Sequence, residues 1–118
     1  QDVGKVFMIR QRDLVLVPFP FSDQSGRKVR PVIIISNDNF NEKSEDVLVV
    51  GVTSNISKDI YTLGLSSNDL EQGRLTTPCC VKVENILKID KELIIKNIGI
   101  IKKDKFKKII NILMSIIK

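Results

Sequence analysis

The sequence predicts a mainly β protein, built as a small, strongly bent sheet or partly closed barrel and ending in one helix. Three observations lead there. Short runs rich in Val, Ile and Leu recur between polar segments from Asp13 to Ile101, the pattern of strands joined by turns. The final stretch, residues 102–118, switches to apolar spacings of three and four, the period of a helix. The first three runs are apolar on both faces, which in so short a chain requires cover on both sides, core within and a helix or partner without.

The elements follow in order. "DLVLVPFPF" (13–21) reads as a strand whose end bends or lies on an edge, because Pro18 and Pro20 cannot donate to a ladder. "SDQSGRK" (22–28) is a polar loop. "RPVIIIS" (30–36) is a second strand, with Pro31 at a position that needs no ladder donor. "NDNFNEKSE" (37–45) is turn-rich, with room for one short helical turn. "DVLVVGVTS" (46–54) is a third strand. Its period of two puts Val47, Val49, Gly51 and Thr53 on one face and Leu48, Val50, Val52 and Ser54 on the other. Gly51 either leaves space for a ligand beside Thr53 or marks a bulge or barrel bend. "YTLGLSS" (61–67) is a weak strand, and "NDLEQGR" a polar connection. "TTPCCVKVENI" (76–86) is a strand interrupted early by Pro78, and "LIIKNIGII" (93–101) is a strand or a turn lead-in.

In the last segment Phe106, Ile109, Ile110, Leu113, Ile116 and Ile117 form an apolar stripe, with Lys105, Lys107 and Lys108 mostly off it. The expected product is an amphipathic helix. Ile112 and Met114 widen its apolar surface, which fits a dimer partner as well as one wide core face.

The chain has 118 residues, 42% of them hydrophobic and 28% charged, which favours a single domain spanning 1–118 with a core that needs no disulfide. No apolar run reaches the roughly 18 to 20 residues that span a bilayer. The start, "QDVGKVFMIR", lacks the apolar middle of a signal peptide. Cys79 and Cys80 are adjacent, so they point to opposite faces of a strand and read as reduced thiols of a cytoplasmic protein. Residues 82–118 hold ten Lys and four acids, while the whole chain carries a formal charge of +5. A basic tail attracts nucleic acid, although the plainer reading of charge alone is a solvated helix face.

Most catalytic sets are missing. There is no His, hence no Ser-His-Asp triad, and two Cys without His make a structural zinc site an unlikely use of them. No P-loop or dinucleotide fingerprint occurs. Neither a metal nor a cofactor is expected. Two positions remain. Arg30 stands where a polar loop becomes an apolar strand, so its stem can be held while its guanidinium fork faces a phosphate. Thr53 ends the third strand beside Ser54, where hydroxyls can donate to the same phosphate. On residue chemistry alone the plainer readings lead: a strand-edge ion pair for Arg30 and ordinary strand preference for Thr53.

Resemblance changes the balance. "DLVLVPFPFSDQSGRKVRPVIIISND", then "VLVVGVTS", then "VKVENILKID" resembles the MazF/PemK family of toxin endoribonucleases from bacterial toxin–antitoxin systems, from about Arg12 to the C-terminus. The junction of the loop with "RPVIIIS" is the most specific part, and "ILKIDK" the weakest. The resemblance implies an SH3-like barrel of five to seven strands with short helices and a C-terminal helix, usually as a homodimer. It implies metal-independent cleavage of single-stranded RNA, in which the substrate's own 2′-hydroxyl attacks phosphorus and leaves a 2′,3′-cyclic phosphate, with a cognate antitoxin holding the toxin in check. The arginine of the family's "RP" motif falls on Arg30, and its strand-end threonine on Thr53. Arginine is a poor proton shuttle near neutrality, so Arg30 is expected chiefly to bind phosphate and stabilise charge, and Thr53 to orient the phosphoryl oxygens. Asp23, Gln24 and Lys28 fall in the family's first long loop, over the RNA. Ser54 neighbours the threonine. Glu84 and Asn85 stand where relatives carry an acidic residue and glutamine that read bases; Asn85 is one methylene shorter. Cys79 falls where many relatives have serine, and residues 1–10 exceed the usual short start.

Two other functions are weighed against the nuclease. One is a CcdB-like gyrase inhibitor on the same barrel, which relies on a C-terminal tryptophan; this chain has no Trp and ends "MSIIK". The other is a catalytically silent barrel that binds RNA or protein.

Overall fold

β-Branched side chains restrict the backbone and favour the extended form, and the three densest Val/Ile runs here do become strands. The computed structural model describes residues 8–18 and 29–118. Its strands are β1 (Asp13–Pro18), β2 (Val29–Ile34), β3 (Asp46–Thr53), β4 (Thr62–Leu65), β5 (Leu70–Gly73), β6 (Cys79–Asp90) and β7 (Lys96–Ile101). The helices are α1 (Asp38–Lys43) and α2 (Lys103–Ile117), with 3-10 turns at Ser67–Asp69 and Lys91–Leu93. The described part of the first run ends at Pro18, and the second and third strands match expectation to within a residue or two.

All seven strands form one antiparallel sheet in the order β4-β6-β3-β2-β1-β7-β5. The connectivity forces it to curl. A flat sheet would hold its two edge strands about 29 Å apart at the usual strand spacing. Yet β4 and β5 are those edges, and the chain passes from Leu65 to Leu70, a reach of at most about 18 Å. The result is a curled half-barrel.

Alternate residues of the same strands feed two cores. Leu14, Ile33, Val50, Val52, Val81, Val83 and Ile101 pack on the concave side with Phe106 and Ile109 of α2. Val15, Val17, Val32, Ile34, Val47 and Val49 pack on the other, covered by Ile94 and by half-buried Ile9, Leu87 and Ile89. The expected cover on both faces is therefore supplied within the chain: a helix on one side, and the return of β6 and the segment before β7 on the other. Ile112 packs against the helix-side core, whereas Met114 and Ile117 are exposed.

Two elements differ from expectation, β5 and β6. β5 arises inside what reads as a polar connection, because its four residues hold one buried apolar side chain, Leu70, and pair only with β7. β6 runs on through Ile86–Asp90 as a 12-residue strand, since pairing with β3 continues there. The segment before β7 is a 3-10 turn in which the Asp90 carboxylate accepts the Glu92 N–H at 2.8 Å. Cys79 and Cys80 are free, buried thiols. Among the described residues no helix is long and apolar enough to cross a membrane.

Candidate functional site

Pro31 has no N–H to give, and the ladder between β2 and β3 begins only at Val32, paired with Gly51. Continuing that register by two residues brings Arg30 level with Thr53. Both extend the row of Val32 and Gly51, so they share its face. The two strand ends, each still laddered to its outer neighbour (Arg30 to Val17, Thr53 to Cys80), flank the head of a groove of about 610 Å³ lined by Arg30, Pro31, Gly51, Thr53, Asn55, Ser57, Lys82 and Asn85 among others. Its other end is apolar, walled by Val17, Pro18, Val32, Leu87, Ile89 and Leu93.

Each polar group has an identifiable support. Arg30 and Thr53 are half-buried. The Thr53 hydroxyl oxygen accepts the Asn55 backbone N–H at 3.1 Å. That bond holds the side chain and leaves the hydroxyl proton free to be donated elsewhere. The segment between β3 and β4 is tied down at Ser57, whose carbonyl accepts from the Thr62 hydroxyl at 3.3 Å and the Cys80 thiol at 3.6 Å. Asn85 arrives through a bulge: Val50 pairs with Ile86 but Gly51 with Lys82, so Val83, Glu84 and Asn85 are extra residues on β6. The bulge folds the Asn85 amide over Gly51, where a Cβ would lie 2.7 Å from its Nδ2. The space above Gly51 is thus occupied by Asn85 rather than left open, and of the two sequence readings the bulge is the one realised.

Among the described residues the groove carries three cations, Arg30, Lys82 and Lys88, against one carboxylate, Asp90. That balance attracts an anion, and the guanidinium fork suits phosphate oxygens. The α2 lysines contribute nothing to it. Phe106 and Ile109 seat α2 on the concave core, and the groove opens on the opposite face of β2 and β3, so of the basic tail only Lys82 and Lys88 of β6 reach it among the described residues.

Of the residues singled out from sequence, Arg30, Thr53 and Asn85 line one groove. Ser54 and Glu84 are exposed and stand outside its wall; the Glu84 carboxylate lies 3.8 Å from Lys82. Asp23, Gln24 and Lys28 lie outside the described residues. Cys79 points into the helix-side core, its thiol pKa raised by burial, which removes it from the groove. Five polar groove residues among those described were not anticipated: Asn55, Ser57, Lys82, Lys88 and Asp90. The lone Lys in "CCVKV" was a visible signal, since a charged residue between two buried valines must face away from the core. Nothing in sequence marked Asn55 or Ser57.

Fold and groove together define a class: a small curled antiparallel sheet with a groove, cationic among its described residues, where two strands part. Comparison with known proteins narrows it. The family model for the PemK-like, MazF-like toxins of type II toxin–antitoxin systems matches residues 10–117, and the chain belongs to that family. Among solved structures, an endoribonuclease in complex with its cognate antitoxin from a Mycobacterial species superposes with a TM-score of 0.74 at 18% identity, covering 91% of this chain and 92% of that one. The Mycobacterium tuberculosis toxin MazF-mt6 gives 0.73 at 15%, covering 88% and 94%. A MazE-MazF structure from Deinococcus radiodurans gives 0.72 at 17%, covering 94% and 96%. At these identities the likeness is one of fold.

Proposed function

We propose that this toxin is an endoribonuclease that cuts single-stranded RNA without metal and is neutralised by a cognate antitoxin. The observation that carries the reading is the meeting of Arg30 and Thr53 at one groove, on neighbouring strand ends. A phosphodiester between them would receive the guanidinium fork on its nonbridging oxygens and the Thr53 hydroxyl proton on one of them. Both donors are set in place before reaction, so charge building on the phosphoryl oxygens is met without reorganisation. The nucleophile is the substrate's own 2′-hydroxyl. Its oxygen bonds to the adjacent phosphorus, the bond to the 5′-oxygen of the next nucleotide breaks, and the products are a 2′,3′-cyclic phosphate and a 5′-hydroxyl. Arg30 acts by binding and charge stabilisation, an arginine side chain being a poor proton shuttle near neutrality.

Asn85, beside Thr53 in the groove, is assigned to base reading, and the loop carrying Asp23, Gln24 and Lys28 to substrate contact; Ser54 and Glu84 are assigned to the groove's rim. The architecture reads as an SH3-like barrel with an amphipathic C-terminal helix, one domain over 1–118 with 1–10 as an N-terminal extension or a processed start, acting in the cytoplasm as a homodimer. The exposed Met114 and Ile117 of α2 suit a second copy. The antitoxin is assigned to the RNA groove, whose apolar end offers it side-chain anchorage.

The test is digestion of a long mixed-sequence RNA in excess EDTA. Discrete fragments with cyclic phosphate ends are expected from the wild type. Arg30→Ala and Thr53→Ala are each expected to lose at least about a hundredfold in rate, the usual cost of one such donor. Retarded but intact RNA would make the protein a binding module, and full activity in both variants would overturn the site.

A further inference from the structure

The groove does not stop at Arg30 and Thr53. It continues across β6, where Lys82 is the charged side chain level with Gly51, and Lys88 and Asp90 line it further along the same strand. Lys82 pairs with Gly51 on one side and Thr62 on the other. Opposed residues share a face, so Lys82 stands on the face of Gly51 and Thr53. Its neighbours Val81 and Val83 are wholly buried in the helix-side core, which leaves position 82 only the groove side. The side chain is 34% exposed, and Glu84 lies 3.8 Å from its ammonium, a long and wet pair that leaves most of the charge available to a ligand. Lys82 is two strands from Arg30 and two residues out of its register, about 12 Å away at normal spacing, with β3 between them. Resting on the nuclease reading above, that separation provides for a second phosphate beyond the one at Arg30 and Thr53. A lysine is a directionally tolerant point charge, suited to holding a backbone and less so to shaping a reacting centre.

We infer that Lys82 is a substrate-positioning residue that holds the phosphate next to the scissile one, so that the RNA backbone crosses the sheet from β2 over β3 towards β6. The experiment takes the RNA sequence cut by the wild type and measures kcat and KM over a range of salt. It also measures anisotropy binding of the same sequence made wholly of 2′-O-methyl nucleotides, which cannot supply the attacking hydroxyl. Lys82→Met is expected to raise KM and weaken oligonucleotide binding about tenfold while kcat changes less than about threefold. The slope of log affinity against log salt should fall by about 0.7, the share of one single-strand phosphate contact. Lys82→Arg should restore both. Unchanged KM, binding and slope in Lys82→Met would overturn the inference while leaving the nuclease reading intact. So would a fall in kcat at constant KM, which would put Lys82 at the reacting phosphate. A lowered melting temperature not rescued by Arg would make its role structural. A wild type that neither cuts nor binds would instead sink the reading beneath it.

Discussion

Two glycines give the sharpest test of how the groove is built. At Gly51 an added Cβ would meet the Asn85 amide at 2.7 Å and its Cγ at 3.5 Å. Asn85 is exposed, and the atom met is the far end of a side chain that can rotate away. Alanine in a strand interior recovers about 0.5–1 kcal/mol relative to glycine, and losing one exposed side-chain contact costs a similar amount. Gly51→Ala should therefore change stability by less than about 1 kcal/mol, or about 4 °C in Tm for a chain of this size. Its effect should appear in function: the Asn85 amide must leave its seat, so the base preference at the cut should shift in the manner of Asn85→Ala. Gly73 is the control. Its φ is +96°, and a Cβ would sit 2.2 Å from the Ile98 carbonyl oxygen and 2.6 Å from the Gly99 Cα. The left-handed backbone alone costs an L side chain about 1–2 kcal/mol. The clash is with backbone, so the β5–β7 pairing must open as well. Gly73→Ala should lower Tm by roughly 10 °C. The assays are thermal melting and sequencing of cleavage ends. If Gly51→Ala melts as early as Gly73→Ala, Asn85 is rigidly held and the reasoning fails. If its cut sites match wild type while those of Asn85→Ala do not, the amide has not been displaced.

Two further outcomes follow from buried polar groups and caps. Burial raises the pKa of Asp13 above its ordinary 3.8, against the lowering effect of the Arg10 backbone N–H and Asn97. The folded protein thus holds that proton more tightly than the unfolded chain, and Asp13's contribution to stability falls as pH rises from the unfolded value through the folded one. The Tm of Asp13→Asn minus that of wild type should increase across that window and then level off; a flat or falling difference would refute it. Asn37 caps α1, accepting the Phe40 N–H at 2.8 Å. Asn37→Ala should cost about 1 kcal/mol and Asn37→Asp almost nothing, with RNA cleavage unchanged in both, read by melting and by digestion.

The strands β1 to β3 and the helix α2 were legible because their signal is local. A run such as "VIIIS" or a spacing such as Phe106-Ile109-Ile110-Leu113 reports its period wherever it is placed. β5 was not legible, because an edge strand of four residues with one apolar side chain exists through its partner β7 and not through its own preference. The same division runs through the site. Arg30 was conspicuous at the mouth of an apolar strand, and Thr53 at the end of another. The resemblance to the toxin family rested on those same stretches.

Sequence alone determined which residues prefer to extend, where Pro31 withholds a ladder donor, and that no histidine is at hand for proton transfer. Only tertiary structure decided that Arg30 and Thr53 stand level on one face, that a three-residue bulge carries Asn85 over Gly51, and that Lys82 joins the same groove. The physical reason is that strand preference is written in each residue, whereas register and curl depend on pairing across the chain. The short step from β4 to β5 bends the whole sheet, and no residue within that step carries the information of what it brings together.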